Sequence, residues 1–179
     1  MKEFEAFKKI PRLSREIVIT EKIDGTNASI YIGEDGEFLV GSRTRWITPE
    51  NDNYGFANWA YANEEELRKL GTGHHFGEWW GQGIQRNYSR VGKIFSLFNT
   101  TRWKDAADLP PCCSVVPELY RGDFDTNAIR GVLKELERDG SKAAPGFMKP
   151  EGIIIFHTAG NLMFKKTLEK DHEPKGQQA

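Results

Sequence analysis

Short runs of apolar and β-branched residues, separated by turn-forming residues, recur along the whole chain. Runs of about four to eight such residues are typical of strands. The linker at 33–36, Gly-Glu-Asp-Gly, indicates a hairpin because Asp-Gly tolerates positive φ. The pattern predicts strands over residues 16–23, 28–32, 37–41, 75–79, 93–98, 115–119, 153–157 and 162–166.

Two segments carry helix signals instead. Asn63 is a candidate N-cap for a helix through Leu70, ended by the glycine that follows. A second helix is expected to begin at Asp125 or Thr126 and to end near Gly140. Because its apolar residues recur at helical spacing, they share one face, which comprises Ile129, Val132, Leu133 and Leu136. Runs of strands interrupted by two helices predict an α+β fold with antiparallel sheets and flanking helices.

Length and charge narrow the possible functions. The chain has 179 residues and a formal net charge of −1, which suits one domain and excludes a globally basic nucleic-acid surface. No apolar run is long enough to span a membrane. Cys112 and Cys113 are adjacent and make a poor disulfide, which fits a reducing cytoplasm. A local basic patch remains compatible with the sequence, and its candidates are Arg43, Arg45, Arg86, Arg90, Arg102 and Lys104.

The residue of greatest chemical interest is Lys22, within Thr-Glu-Lys-Ile-Asp-Gly-Thr-Asn at 20–27. A lysine at the end of a β-branched strand, followed by a glycine turn, can be held in a pocket. Burial or a nearby cation, such as a divalent metal, would suppress its charge and free the amine to act as a nucleophile. A solvent-exposed lysine in a β-turn is the alternative, and this short motif does not separate the two.

Two further polar segments lie at or near predicted strand ends. In Gly-Ser-Arg-Thr-Arg at 41–45, Arg43 and Arg45 carry the planar guanidinium group that grips phosphate, although a solvated edge strand also explains them. In Phe-Gly-Glu-Trp-Trp-Gly at 76–81, Glu78 is an acid among bulky apolar residues. If buried, it needs a hydroxyl, a metal or a cation as its partner, and an outward-facing glutamate is the alternative.

The last predicted strands add a carboxylate and two lysines. Glu151 precedes an aliphatic run, with Gly152 allowing close approach, and a carboxylate there suits a hard divalent cation. Turn chemistry also explains Pro-Glu-Gly at 150–152. Lys165 and Lys166 lie next to each other at a strand end, so one points inward and one outward. The inward lysine would neutralise a phosphate, whereas a charge that merely ends a hydrophobic strand is the alternative.

Each segment is ambiguous alone, but their order along the chain is not. Lys-x-Asp-Gly, Ser-Arg, Gly-Glu, Glu-Gly with an aliphatic run, and a lysine pair succeed one another from about Glu21 to Lys166. This ordered set resembles the motifs of the covalent nucleotidyltransferases, which are the ATP-dependent RNA and DNA ligases and the messenger-RNA capping enzymes. Glu-Lys-Ile-Asp-Gly-Thr-Asn and Phe-Gly-Glu-Trp-Trp-Gly are most similar to the RNA ligases, particularly the T4-type RNA ligase 2 branch.

The resemblance implies an ATP-dependent RNA ligase that uses ATP and Mg²⁺. In that family the lysine of the first motif attacks the α-phosphorus of ATP, AMP then moves to a 5′-phosphate, and a 3′-hydroxyl displaces it to seal the strand. The implied catalytic residues are Lys22, Lys165 and Lys166, and the implied metal residues are Glu151 and Asp24. The implied nucleotide-binding residues are Glu21, Ile23, Asn27, Arg43, Glu78 and Phe98, with Phe95 as the second candidate for stacking on adenine.

The same resemblance sets expectations for the domain and its surroundings. Residues 1–168 are expected to form one nucleotidyltransferase (adenylation) domain without a C-terminal OB-fold, followed by a flexible charged tail over 169–179. The expected partners are RNA ends or nicks with a 5′-phosphate and a 3′-hydroxyl, and optionally a separate protein that binds ends. No membrane partner is expected. The expected location is the cytoplasm, including that of a phage-infected host.

Three departures from the family pattern leave alternatives open. The chain stops soon after the last motif, where larger relatives carry a further domain, so full sealing by this chain alone is an open question. Met163 stands where the final Lys-x-Lys motif usually begins, so either Lys165 or Lys166 would contact the α-phosphate. Asp24 replaces a histidine typical of the T4-type branch and is more like the DNA ligases. The competing functions are a DNA ligase, a capping-type guanylyltransferase, and a non-catalytic module that binds nucleotides or nucleic-acid ends.

Overall fold

The structure, a computed structural model, describes residues 1–172. Most of the segment expected to be a flexible tail, residues 173–179, lies outside the described residues. The described helices are α1 (Phe56–Ala62), α2 (Glu64–Leu67) and α3 (Thr126–Asp139), with short 3₁₀ turns at Arg68–Leu70 and Ala106–Asp108. The described strands are β1 (Glu16–Lys22), β2 (Thr26–Ile32), β3 (Phe38–Gly41), β4 (Trp46–Ile47), β5 (Gly73–Gly81), β6 (Lys93–Leu97), β7 (Cys113–Val115), β8 (Glu118–Asp123), β9 (Gly152–His157) and β10 (Leu162–Thr167).

These elements form two sheets, one with strand order β10-β9-β1-β8 and the other with order β4-β3-β2-β5-β6-β7. All neighbouring strands pair antiparallel except β6 and β7, which are parallel. The expected α+β fold with antiparallel sheets is therefore confirmed. Among residues 1–172, no helix is both long and apolar enough to cross a membrane.

Differences from the predicted elements are local. The strand expected over 115–119 is divided between β7 and β8, and β4 was not predicted because two residues carry no period. The helix expected from Asn63 begins where it was predicted, since α2 starts at Glu64 directly after Asn63, and the 3₁₀ turn at Arg68–Leu70 continues it to Leu70. The Asn63 side chain, however, donates to the Trp59 carbonyl instead of capping α2, and the preceding helix α1 was not predicted. The Asp125 cap is confirmed, since its carboxylate accepts from the backbone N–H of Asn127 at 2.8 Å.

Each sheet buries one face against helices. The six-stranded sheet packs against α1 through a core that includes Ile30, Phe56 and Phe95. The four-stranded sheet packs Ile17 and Ile153 against α3. Because side chains alternate across a strand, the opposite face of each sheet is left for other contacts.

The turn between β1 and β2 joins the two sheets. Ile23 is 4% exposed and packs in a third cluster with Trp80 and Tyr88. The backbone N–H of Asp24 donates to the Tyr88 hydroxyl at 2.7 Å. At Gly25 a Cβ atom would collide with the Trp79 carbonyl and lie 2.7 Å from the Trp80 Cβ. The end of β1 is therefore held directly against β5.

Replacing Gly152 tests the close strand approach next to Lys22. In Gly152→Ala the new methyl group would collide with the Lys166 carbonyl and lie 2.7 Å from the Thr167 Cα. We expect this overpacking to lower the free energy of unfolding by about 1–3 kcal/mol, measured by urea unfolding.

A second glycine provides a control for which we expect the opposite change in the free energy of unfolding. Gly131 lies within α3, and a Cβ atom added there would meet no neighbouring element within 4 Å. Gly131→Ala is expected to raise the free energy of unfolding by about 0.5–1 kcal/mol because alanine favours helix. Equal stability of Gly152→Ala and wild type would contradict this close packing of Gly152 against β10.

Candidate active site at the junction of the sheets

Lys22 lies at the end of β1 and forms an ion pair with Glu151. Its Nζ atom is 2.7 Å from Glu151 Oε2, and the two side chains are 17% and 11% exposed. The register explains the pair, since Lys22 lies opposite Gly152, the first residue of β9. The Lys22 amine is therefore largely sheltered from solvent. This excludes the alternative, in which the lysine lies exposed in a β-turn.

Glu78 lies on β5, with a carboxylate that is almost completely buried at 7% exposure. Its Oε1 accepts from the Gly25 backbone N–H at 3.0 Å, and its Oε2 accepts from the Asn27 side chain at 3.1 Å. Burial raises the pKa of Glu78 to about 7, against the lowering effects of these two hydrogen bonds and of the Lys22 charge. The Glu151 charge adds to the rise. Glu78 therefore titrates near neutral pH, beside Lys22.

Glu21 is oriented away from Lys22, because adjacent strand residues point to opposite faces. Its carboxylate is 1% exposed and accepts from Ser141 Oγ at 2.6 Å and from the backbone N–H groups of Lys142 and Ala143 at 2.8 and 2.9 Å. The side chain thus fixes the loop that follows α3. The expected role of Glu21 and Ile23 in nucleotide binding stays a prediction. Because both side chains are buried, their backbone atoms would have to contact the adenine.

Asp24, expected at a metal, is instead paired with Arg86. Arg86 Nε donates to Asp24 Oδ2 at 3.0 Å, and Arg86 Nη1 donates to the carbonyls of Lys149 at 3.0 Å and Pro150 at 3.4 Å. This chain of contacts ties the β1–β2 turn to the segment that carries Glu151. Sequence reasoning placed Arg86 only in a basic patch, since nothing in its spacing shows a partner 62 residues away.

Lys165 lies on the same face of its sheet as Lys22. Lys165 is opposite Ile154, which is in turn opposite Thr20, two residues before Lys22. Residues two apart on a strand share a face. Lys165 is exposed, and its register puts it on the side of the sheet that presents the amine.

Lys166 lies on the other face of the same sheet. It is opposite Ile153, which is opposite the buried Glu21. Its Nζ is 3.1 Å from Asp171 Oδ2, so its charge already has a partner. The register therefore favours Lys165 over Lys166 as the lysine that shares a face with Lys22.

The other residues implied for nucleotide binding differ in exposure. Phe98 is 36% exposed at the end of β6, whereas Phe95 is fully buried in the core beneath α1. Phe98 is thus the one of the two that a base can reach. Asn27 is exposed beside Glu78, and Arg43 is exposed in the loop between β3 and β4.

Comparisons with known proteins identify the family and the fold. The family model described as RNA ligase matches residues 15–167. Two solved structures of Naegleria gruberi RNA ligase are similar: a lysine-to-alanine variant with ATP and manganese (22% identity, TM-score 0.65, covering 86% of this chain and 50% of that chain) and the ligase with pyrophosphate (21% identity, TM-score 0.63, 86% and 50%). At these identities the likeness shows a shared fold. The chain spans about half the length of these relatives, and a comparison with curated proteins finds no match.

The raised pKa of Glu78 predicts a pH dependence of stability. Between its ordinary pKa of 4.5 and its folded pKa of about 7, the folded protein binds a proton that the unfolded chain releases. The contribution of Glu78 to the free energy of unfolding is therefore largest below pH 4.5 and is lost as the pH rises through 7. The loss is at most roughly 3 kcal/mol. Glu78→Gln removes this pH-dependent contribution. Urea unfolding of the ligand-free wild type and variant at pH 5 and pH 8 measures the difference.

The expected result is that wild type loses more stability than Glu78→Gln between the two pH values. Every other titrating group is common to both proteins, so the difference isolates Glu78. The exposed Glu34→Gln change is the matched control and should follow wild type. Parallel pH profiles for wild type and Glu78→Gln would show that Glu78 is already ionised at low pH.

Proposed function

The chain belongs to the RNA ligase family, and we propose that it seals RNA ends in an ATP-dependent reaction in which Lys22 carries AMP. The observation that carries the proposal is the sheltered Lys22 amine, 2.7 Å from Glu151 and within electrostatic reach of Glu78. The structures of the Naegleria gruberi ligase with ATP and manganese and with pyrophosphate support the choice of nucleotide and of leaving group.

In the first step the Lys22 nitrogen attacks the α-phosphorus of ATP. A nitrogen–phosphorus bond forms, the bond from the α-phosphorus to the oxygen bridging to the β-phosphate breaks, and pyrophosphate leaves. The amine must lose a proton to attack. Glu151 Oε2 lies within hydrogen-bond distance of Lys22 Nζ and is placed to accept that proton. Such a transfer depends mainly on positioning and on neutralised charge.

The remaining residues suit the needs of the nucleotide. Glu78 and Asn27 form a hydrogen-bonded pair that can hold the ribose, and Phe98 offers a ring to the adenine. Lys165 contributes a positive charge for the α-phosphate on the face that carries Lys22. Arg43 is exposed and suits either a nucleotide phosphate or the 5′-phosphate of the RNA.

The donor set fits a magnesium ion bound chiefly by nucleotide phosphates. Within residues 1–172 there is no group of three or more His, Cys, Asp or Glu side chains that could hold a metal. Mg²⁺ usually keeps several waters and takes one or two carboxylates together with substrate phosphates. Glu151 would be that carboxylate, and the ion would neutralise phosphate charge. Asp24 is occupied by Arg86, so a metal role for it would require that pair to break.

In the later steps AMP moves from Lys22 to the 5′-phosphate of an RNA end, and a 3′-hydroxyl then displaces AMP to join the strands. We assign this activity to the cytoplasm because Cys112 and Cys113 are free thiols. A separate protein that presents RNA ends is an optional partner in this proposal.

Covalent labelling of Lys22 tests the first step. Protein incubated with ATP and Mg²⁺ should gain the mass of one AMP, measured by intact mass spectrometry. Lys22→Ala should gain none, because the nucleophile is lost. Lys22→Arg should also gain none, since arginine retains the charge beside Glu151 but stays protonated. Lys134→Ala, an exposed lysine on α3, is the control and should be labelled like wild type.

Wild type that binds ATP without gaining AMP would instead identify a nucleotide-binding module. Sealing of nicked RNA and nicked DNA by the labelled protein then separates an RNA ligase from a DNA ligase. Labelling by GTP in preference to ATP would contradict the proposal and favour a capping-type enzyme.

Single substitutions separate the roles of Lys165 and Lys166. Lys165→Ala should slow AMP uptake roughly 100-fold, as expected for losing a charge aimed at the reacting phosphate. Lys166→Ala should have a much smaller effect, because its Nζ pairs with Asp171 on the opposite face. The readout is the rate of label uptake at saturating ATP, with Lys134→Ala again as the reference. A larger effect at Lys166 than at Lys165 would contradict this assignment of the two lysines.

A further inference from the structure

A strip of aromatic side chains crosses the face of the six-stranded sheet that carries Glu78. Trp46 on β4 lies opposite Gly41, which lies opposite Ser29, which lies opposite Phe76. The backbone N–H of Phe98 donates to the Phe76 carbonyl at 3.0 Å and extends the same row. His74 and Tyr31 form the next row. The members of this aromatic strip are Tyr31, Trp46, His74, Phe76 and Phe98.

Four of the five rings of the strip, those of Tyr31, Trp46, His74 and Phe76, lie against one another. The ring centroids of His74 and Phe76 are 4.0 Å apart, and His74 stacks on Trp46 at 5.5 Å with an interplanar angle of 30°. Tyr31 contacts His74 edge-on at 5.9 Å. Gly41 and Ser29 leave room for this arrangement, since a Cβ at Gly41 would lie 3.3 Å from the Trp46 ring. The result is a nearly continuous aromatic surface.

This surface is open to solvent in the described part of the chain. Trp46 is 50% exposed, Phe76 54% and Phe98 36%. Among the tryptophans, Trp79, Trp80 and Trp103 are at most 7% exposed, and Trp59 is half-buried. Large exposed aromatic patches usually mark a binding surface.

The strip begins at the candidate active site. The row formed by Asn27, Glu78 and Ser96 lies on the same face, two residues further along the strands. Rows two residues apart are separated by about 7 Å. Phe98, the ring offered to adenine, is also the end member of the strip. The aromatic surface therefore continues outward from the nucleotide position towards β4.

The charges next to Trp46 favour a polyanionic occupant. Arg43 and Arg45 are exposed in the loop that leads into β4. Arg45 donates only to the backbone carbonyls of Asn51 and Asp52, and among residues 1–172 neither arginine pairs with a carboxylate. Desolvation by its neighbours lowers the pKa of His74, so its ring is neutral at pH 7. Flat neutral rings next to guanidinium groups that no described carboxylate neutralises suit nucleobases joined by phosphates.

We propose that the aromatic strip is a stacking surface for unpaired bases of the RNA strand whose end is held at Lys22. This inference rests on the proposed function. Bases next to the reacting end stack on Phe76, His74 and Trp46, while Arg43 and Arg45 contact the backbone. Stacking on aromatic rings is tolerant of sequence, so the strip confers a preference for single-stranded ends and no preference for a base sequence.

Trp46 provides the probe. A short 5′-phosphorylated single-stranded oligoribonucleotide is titrated without ATP, and both tryptophan fluorescence and affinity are measured. A matched oligonucleotide with abasic sites retains the phosphates but removes the bases. We expect quenching by the normal oligonucleotide and weaker binding of the abasic one. Trp46→Ala should weaken binding of the normal oligonucleotide roughly 5- to 100-fold.

Two further variants separate stacking from a loss of structure. Trp46→Phe retains a ring and should bind the oligonucleotide nearly as wild type does, with most of the quenching lost. Leu162→Ala removes an exposed apolar side chain from β10 in the other sheet, and it should change neither affinity nor quenching. Thermal unfolding checks that all variants are folded.

Equal affinity of wild type for the normal and abasic oligonucleotides, or no loss of affinity in Trp46→Ala, would overturn the proposal. A change in oligomeric state of Trp46→Ala without a change in affinity would also overturn it, by assigning the strip to contacts between copies of the chain. Because ATP is absent, the result is independent of labelling at Lys22. Base-dependent binding without labelling would refute only the proposed chemistry, and labelling without base-dependent binding would refute only the strip.

Discussion

The close packing of the β1–β2 turn against β5 is the constraint on which the site depends. Gly25 has no room for a Cβ atom because the backbone of Trp79 and the Trp80 side chain lie directly against it. That approach brings the Gly25 N–H to Glu78 and places the end of β1, with Lys22, beside the same carboxylate. Arg86 then ties Asp24 to the segment before Glu151. Lys22 and Glu78 thus lie on packed strands and Glu151 lies directly before one, and packed strands hold the geometry of a site more closely than loops do.

Three glutamates near the turn have different tasks because their partners differ. Glu21 is buried but accepts three hydrogen bonds from the 141–143 loop, so it serves the fold. Glu78 is buried with two neutral donors, and its pKa rises to about 7. Glu151 is the one of these three glutamates whose partner is a cation, the Lys22 ammonium group. Burial alone therefore does not identify a functional acid, since the number and charge of its donors decide whether it is structural or reactive.

The sequence was sufficient for most of the elements and for the choice of candidate residues, because both depend on local pattern and motif order. Short apolar and β-branched runs between turn residues predicted the strands, and the ordered motifs singled out Lys22, Glu78 and Glu151, which the fold brings together. Alternation also predicted that Lys165 and Lys166 point to opposite faces, but only the pairing of β10 with β9 shows which face carries Lys22. The bonds of Glu21 to Ser141 and of Arg86 to Asp24 link residues 120 and 62 positions apart, and no local pattern records them.

The Lys22–Glu151 pair both protects the amine and restrains it. An ammonium group held at 2.7 Å from a carboxylate is sheltered from solvent, but it has no free lone pair with which to attack phosphorus. A cation ligated by Glu151 would share that carboxylate with the Lys22 ammonium group and weaken their pairing. In the proposed reaction, binding of the charged nucleotide would therefore have to rearrange these contacts before Lys22 attacks. Lys165, exposed on the same face, is placed to take over part of the phosphate charge when that exchange occurs.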